Sequence, residues 1–413
     1  MVEERNVVQS NPVLSRAEES KGMMQTEIGL IPDDWDLISV DDLVYNGVLH
    51  KPLDGNHGNI HPKSSDFVND GIPFIMANNV QNGKVDFINC SFIKKEQADN
   101  LQKGFSINGD VLFTHKGTVG NVALVENINT EYIMLTPQVT YYRVKDEQIL
   151  SNNFLKQFFE GDFFQKHVES ISGGGTRAYI GITEQRQLPI ILPPLPEQQA
   201  IAEALSDADA WIESLETLIA KKRQIKQGAM QELLTPKEDW EVKKLGEMTD
   251  IYTGKKNNQD KIENGKFPFF VRSQTVERIN SYSFDGEAIL IPGEGNLGSI
   301  FHYIKGKFDF HQRVYKISDF KDINGKYCYW YFRMYFGNHA MQNTVKATVD
   351  SIRLPTLQEF VIKYPSMDQQ TRIATILSDM DAEIEALEQQ LEKARQIKQG
   401  MMQELLTGRI RLV

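Results

Sequence analysis

The chain has 413 residues, 40% hydrophobic and 24% charged, with 29 Gly, 15 Pro and a formal net charge of −11. That composition excludes collagen-like and wholly disordered chains, and the length allows two to four folded units at ~100–200 residues each. Two cysteines, Cys90 and Cys328, cannot build a disulfide framework or a cysteine-based zinc site.

Residues 1–26 mix acids and bases and read as a flexible tail without the apolar stretch of a signal peptide. No later run approaches the ~18 apolar residues of a membrane span, so the expected location is cytoplasmic, with no membrane partner. Residues 27–195 form a first domain. VLFTH (111–115) and VTYYRV (139–144) carry the β-branched and aromatic enrichment of strands, with a helical stretch near 152–169. Prolines in LPIILPPLPEQQ (188–199) end the last strand. Residues 196–236 read as a long helix. Residues 237–365 form a second domain with strands AILIP (288–292) and FDFHQRVYKI (308–317) and a helix near 325–343. Residues 366–413 hold a second long helix and a C-terminal tail.

The two long helices are copies: 201–235 and 373–407 agree at about 24 of 35 positions. Upstream, PEQQ (196–199) and MDQQ (367–370) match with Arg372 as an extra residue. In the first copy Ile201, Leu205, Ala208, Ile212, Leu215 and Ile219 alternate spacings of four and three. Ile373, Leu377, Met380, Ile384, Leu387 and Leu391 do the same in the second. That is a coiled-coil seam on helices of about 50 Å. A one-striped helix must bury its stripe, and the matching stripe is the other copy, which predicts an antiparallel intramolecular pair. The domains repeat as well. IPDDWDLISVDDL (31–43) pairs with PKEDWEVKKLGEM (236–248), aligning Trp35 with Trp240 as core anchors, and GDVLFTHKGTVGNVAL (109–124) pairs with GEAILIPGEGNLGSIF (286–301). The expected architecture is therefore α+β and pseudo-two-fold: two globular domains, each around an irregular antiparallel sheet, separated by two long helices in an antiparallel coiled coil.

Catalytic patterns are missing from the sequence. There is no P-loop, no G-x-G-x-x-G opening a helix and no H-E-x-x-H motif. Asp239, Glu241 and Lys243 imitate a nuclease E-x-K pattern, but such short patterns are common. Charge does not decide the question of nucleic acid: residues 27–196 carry about 13 basic and 21 acidic side chains, residues 237–366 about 19 and 16. What remains are polar, Gly-flanked loops at equivalent places: 76–84, 115–121 and 172–179 in the first domain, 271–278, 293–299 and 346–353 in the second. Such side chains contact phosphates and base edges.

The order of domain, helix, domain, helix resembles the specificity subunit of type I restriction–modification enzymes. So do LPPLPEQQAIAEALSDAD (192–209), MDQQTRIATILSDMD (367–381), the doubled QELLT and the closing LLTGRIRLV. The resemblance implies a non-catalytic subunit in which each domain recognises one half of an asymmetric, two-part double-stranded DNA site and the coiled coil sets the spacer. It implies two methyltransferase subunits and two ATP-dependent restriction subunits as partners. S-adenosylmethionine, ATP and Mg would sit on those partners, with no cofactor, metal or catalytic residue on this chain. Half-site centres roughly 10–13 bp apart are expected. Candidate DNA-binding residues are Lys116 and Arg177 in the first domain and Arg272, Gln274, Asn296, Lys346 and Arg353 in the second, against the competing reading of solvated surface charge. Gly228 and Gly400 interrupt the helices at ~1 kcal/mol each relative to Ala. Either a partner helix approaches there, docking on Met230, Leu233, Met402 and Leu405, or the helix bends. The rival reading of the whole is a coiled-coil scaffold that never touches DNA.

Overall fold

The computed structural model describes residues 22–26, 29–173, 178–295, 298–343 and 351–412. It forms two compact units: the described residues up to Glu213 together with those from Glu392 on, and Ser214–Leu391.

The first unit opens with the strand Met23–Thr26 paired antiparallel with Gly29–Pro32. Of the expected tail, residues 23–26 lie in this hairpin, and residues 1–21 lie outside the described residues. Asp36–Ser39 pairs antiparallel with Pro189–Leu192, bringing the two ends of the domain together. Between them lie a four-stranded sheet that contains Val111–Lys116, Thr118–Leu124 and Val139–Tyr142, and a five-stranded one that contains Ile72–Ile75 and Ile133–Leu135. Helices Asn152–Glu160 and Asp162–Ile171 cover the first sheet. They bury Phe154, Phe158, Phe159 and Phe164 against Phe113, Tyr142 and Trp35. The Phe159 and Phe164 rings stack 4.4 Å apart.

The second unit repeats this plan. Glu241–Lys244 pairs with Val361–Tyr364, again closing the domain on itself. Its other strands make one six-stranded sheet. Helix Gly325–Gln342 starts where the Asn324 side chain accepts from the Lys326 and Tyr327 amides, and it buries Tyr327, Trp330, Phe332 and Phe336. The difference between the domains is local: His302–Phe310 runs unbroken, whereas its counterpart is split into Thr118–Leu124 and Ile133–Leu135. The expected irregular antiparallel sheets include one parallel strand pair in each domain. Ile133–Leu135 lies parallel to Ile72–Ile75, and His302–Phe310 parallel to Phe267–Phe270, since the chain between each pair is long enough for a crossover.

The long helices are Leu195–Leu234 and Met367–Leu405, of 40 and 39 residues. The predicted seam is buried at Ile201, Leu205, Ala208, Leu215, Ile219, Ile373, Leu377 and Ile384. Inside each unit the helices run antiparallel. In the second, Lys222 meets Glu383 at 2.6 Å, Arg223 meets Glu388 at 2.6 Å and Lys226 pairs with Asp381; in the first, Lys398 meets Asp209 at 2.5 Å. The repeat is ungapped, which corrects the extra residue expected at Arg372. Gln198 accepts from the Ser151 amide and donates to the Pro193 carbonyl, while Gln370 accepts from the Asn324 amide and donates to the Pro365 carbonyl. Each glutamine ties its long helix to the N-cap of its domain's packing helix, and both are buried.

Candidate nucleic-acid interface

In the first domain the strand Val111–Lys116 ends at a turn whose Gly117 has φ +81°, a left-handed conformation that glycine adopts without a Cβ penalty. Two backbone bonds hold this turn to other segments: the His115 amide donates to the Gln138 carbonyl at 2.9 Å, and the Ile180 amide donates to the His115 carbonyl at 3.0 Å. Lys116 bridges to Tyr179. Lys116 is exposed and Tyr179 half-exposed, with the tyrosine ring 5.8 Å from that of His115. A Cβ on Gly117 would lie 3.9 Å from Gln138 Nε2, so that amide stands beside the turn. His115 is buried. Its Nδ1 faces the Ile180 carbonyl at 3.0 Å and must donate, which leaves Nε2 as an acceptor without a partner among the described residues. Burial lowers its pKa and keeps the ring neutral.

The second domain builds the same corner from other residues. The Gly293 amide donates to the Arg313 carbonyl at 2.8 Å, the Ile352 amide donates to the Gly293 carbonyl at 2.8 Å, and Glu294 bridges to Ser351. His115, Lys116, Gln138 and Tyr179 thus correspond to Gly293, Glu294, Arg313 and Ser351. Glu294 accepts from Arg313 with both carboxylate oxygens and from Arg272 Nη1 at 3.2 Å. The Arg313 guanidinium, ahead of the opposing effect of partial burial, holds the Glu294 carboxyl below the usual range. His311 lies within the field of Arg272, Arg313 and Glu294, and its pKa is pushed down first by burial and then by the two arginines.

Among the sequence candidates, Lys116 and Arg272 stand at these corners. Arg353, exposed, N-caps the short helix Leu354–Gln358 two residues beyond Ser351. Gln274 is exposed on the loop after Arg272 and makes no hydrogen bond among the described residues. Arg177, Asn296 and Lys346 lie outside the described residues. Gln138 and Arg313 lie outside the loops singled out in the sequence, and Tyr179 and Glu294 enter only as members of loops 172–179 and 293–299. The pairing of 109–124 with 286–301 is one residue out: ladder partners set Thr114 opposite Val139 and Pro292 opposite Val314, so Lys116 matches Glu294. On the long helices, a Cβ added to Gly228 or Gly400 would meet nothing within 4 Å. Met230, Leu233 and Met402 are part-buried, whereas Leu405 is spent on the core of its own unit, which removes it from the docking set. Among the described residues no helix is long and apolar enough to cross a membrane.

Comparison with known proteins agrees with this architecture. The sequence profile of the type I restriction modification DNA specificity domain matches residues 32–227 and again 237–396. The type I restriction enzyme EcoDI specificity subunit of Escherichia coli is 34% identical over 171 residues, 41% of this chain and 37% of that protein; this chain thus spans little more than a third of that relative. The MjaVIII specificity subunit of Methanocaldococcus jannaschii is 26% identical over 428 residues, 92% of this chain and 94% of that protein. In fold, the chain is similar to the crystal structure of a type I restriction–modification S subunit from M. genitalium, with a TM-score of 0.64 at 17% identity over 90% of this chain and 96% of that one. With the family's domain matched in both halves, this chain belongs to the type I restriction–modification DNA specificity family.

Proposed function

We propose that the protein is the DNA-recognition subunit of a type I restriction–modification complex, each domain recognising one half of an asymmetric, two-part duplex site. The observation that carries this reading is the repeated corner: one backbone frame, held by the same hydrogen bonds, presents Lys116, Gln138 and Tyr179 in one domain and Glu294, Arg313 and Ser351 in the other. A frame kept constant under different polar side chains suits two half-sites of different sequence. Lys116, Arg177, Arg272, Gln274, Asn296, Lys346 and Arg353 supply further phosphate and base contacts. The paired long helices set the spacer. Their outward Gly228 and Gly400, with Met230, Leu233 and Met402, receive two methyltransferase subunits, which bring S-adenosylmethionine; two restriction subunits bring ATP and Mg. Catalysis belongs to those partners.

The test is co-expression with the neighbouring methyltransferase gene in a methylation-free host, followed by mapping of N6-methyladenine. One asymmetric motif with a fixed gap is the expected result, and four residues inserted into both helices should lengthen that gap. An intact complex, competent to bind the methyl donor but leaving no motif, would establish the scaffold instead.

A further inference from the structure

Gln138 and Arg313 occupy one position in two copies of the same corner. Each lends its backbone carbonyl to a residue at the end of the central strand, His115 or Gly293. We propose that these two residues are the specificity-determining pair: Arg313 recognises a guanine in one half-site, and Gln138 an adenine in the other, both from the major groove. The inference deepens the DNA-recognition reading and rests on it.

The chemistry of the side chains decides the assignment. A guanidinium donates twice to guanine O6 and N7, whereas a carboxamide accepts from adenine N6 and donates to N7. Arg313 is half-exposed, and among the described residues its guanidinium bonds only to Glu294, through Nη1. The Nε–Nη2 edge is thus left free as a two-donor fork. A carboxylate gripping one side of a guanidinium fixes its plane, so Glu294 is a positioning residue, steadied in turn by Arg272 Nη1 at 3.2 Å. In the first domain Gln138 stands beside the Gly117 turn. There the exposed ammonium of Lys116 can meet a phosphate, and the half-exposed ring of Tyr179 offers an apolar face to a base. Acid and fork stand together in one domain, and cation, ring and carboxamide in the other. Both sets suit base edges better than a partner protein's side chains, because forks and carboxamides match the donor–acceptor pairs displayed in the groove.

The experiment is selection of duplexes from a randomised library by the full chain in complex with its methyltransferase, at one fixed salt concentration, followed by sequencing. The unsubstituted complex should select a two-part motif. Arg313→Gln should relax or replace a guanine at one position of one half-site, with about 5- to 150-fold lost discrimination, and leave the other half-site intact. Arg313→Lys should weaken the preference for the same guanine, because an ammonium can still donate to O6 and N7 but has no planar fork for Glu294 to hold. Glu294→Gln should blur that position alone, and Gln138→Ala should relax one adenine in the opposite half-site. If the Arg313 and Gln138 variants select the unsubstituted motif, or if Arg313→Gln weakens all sequences alike, as loss of a phosphate contact would, the assignment is overturned. If the unsubstituted complex selects no motif, the DNA-recognition reading itself fails.

Discussion

Gly228 and Gly400 sit inside uninterrupted helices, and a methyl group at either would touch nothing. Neither has the positive φ that would demand glycine, and no neighbouring atom among the described residues would crowd a Cβ there. Each therefore costs the isolated chain ~1 kcal/mol of helix stability with no compensation in the fold. Gly228→Ala and Gly400→Ala should each raise the free energy of unfolding of the isolated chain by about 1 kcal/mol in urea titrations. The same positions changed to Val should weaken the complex with the methyltransferase, measured by co-purification, since a branched side chain would hold off an approaching helix. Stabilisation by Ala together with full complex formation by the Val variants would show that the glycines serve no partner. His115 belongs to the same class of local expense: a buried acceptor with no partner among the described residues, next to an exposed lysine and a half-exposed tyrosine.

Among the charged side chains that pair the long helices, two positions recur in both copies of the repeat. Lys226 and Lys398 are equivalent in the repeat, as are Asp209 and Asp381, and the pairs cross over: Lys226 with Asp381, Lys398 with Asp209. Each pair also engages its own domain. Asp209 takes Lys156 at 3.1 Å and Gln157 at 3.0 Å, while the Lys226 ammonium lies 4.7 Å over the Trp330 ring. A polar pair at one level of an apolar seam fixes the register and direction of the helices, because any slip buries the charges unpaired. Burial pushes the Asp209 pKa up, but Lys156 and Lys398 outweigh it and hold it below the usual 3.8. A depressed aspartate contributes stability that is complete above its unfolded pKa and lost as the pH falls through the folded one. Asp209→Asn should accordingly lower the urea midpoint at pH 7, and the gap to the unsubstituted protein should close below pH ~4. A gap that persists unchanged at pH 3 would mean that the Asp209 charge is not what stabilises the seam. The helices, their seam and their pairing were all visible in the sequence, since a 3.5-residue apolar repeat copied across 172 positions leaves little choice of partner. The corners were not. A one-residue error in matching two strands turns every side chain to the other face, and only the ladder partners of Thr114 and Pro292 remove it. Arg313 and Gln138 also follow their strands' turns in unrelated local sequences, QR and PQ, so no motif marks them.

The linear order of domain, helix, domain, helix conceals how the chain is apportioned. Each long helix contributes to both compact units, and the first unit is completed only by the last residues of the chain. Leu405 and Leu406 enter its core, and Gly408 packs against Pro32 and Trp35 so closely that a Cβ would lie 2.3 Å from Pro32 Cγ. Arg411 then closes the unit. Its guanidinium donates to Glu197 at 2.5 and 2.6 Å and to both oxygens of Asp34 at 2.9 Å, and it lies 5.4 Å from the centre of the Trp35 ring. Glu197 is fully buried and among the described residues its carboxylate has one other partner, the Trp35 indole N–H at 3.0 Å. The cluster thus joins the start of the first domain, the start of the first long helix and the end of the second. Nothing in the local sequence signals it, because its members are separated by up to 377 positions. Arg411→Ala leaves the Glu197 carboxylate buried beside a single donor. The expected cost is about 3 kcal/mol, the range for breaking a buried ion pair from one side, and it should fall on the first unit alone. Urea unfolding followed by hydrogen exchange should show earlier opening in residues 29–43 and 195–205, with residues 237–366 unchanged. Pairing Arg411→Ala with Glu197→Gln should recover much of the loss, because the carboxamide no longer carries an uncompensated charge. If the single variant opens both units equally, Arg411 does not act through the first unit's closure; if the double variant recovers nothing, the buried charge is not the cause.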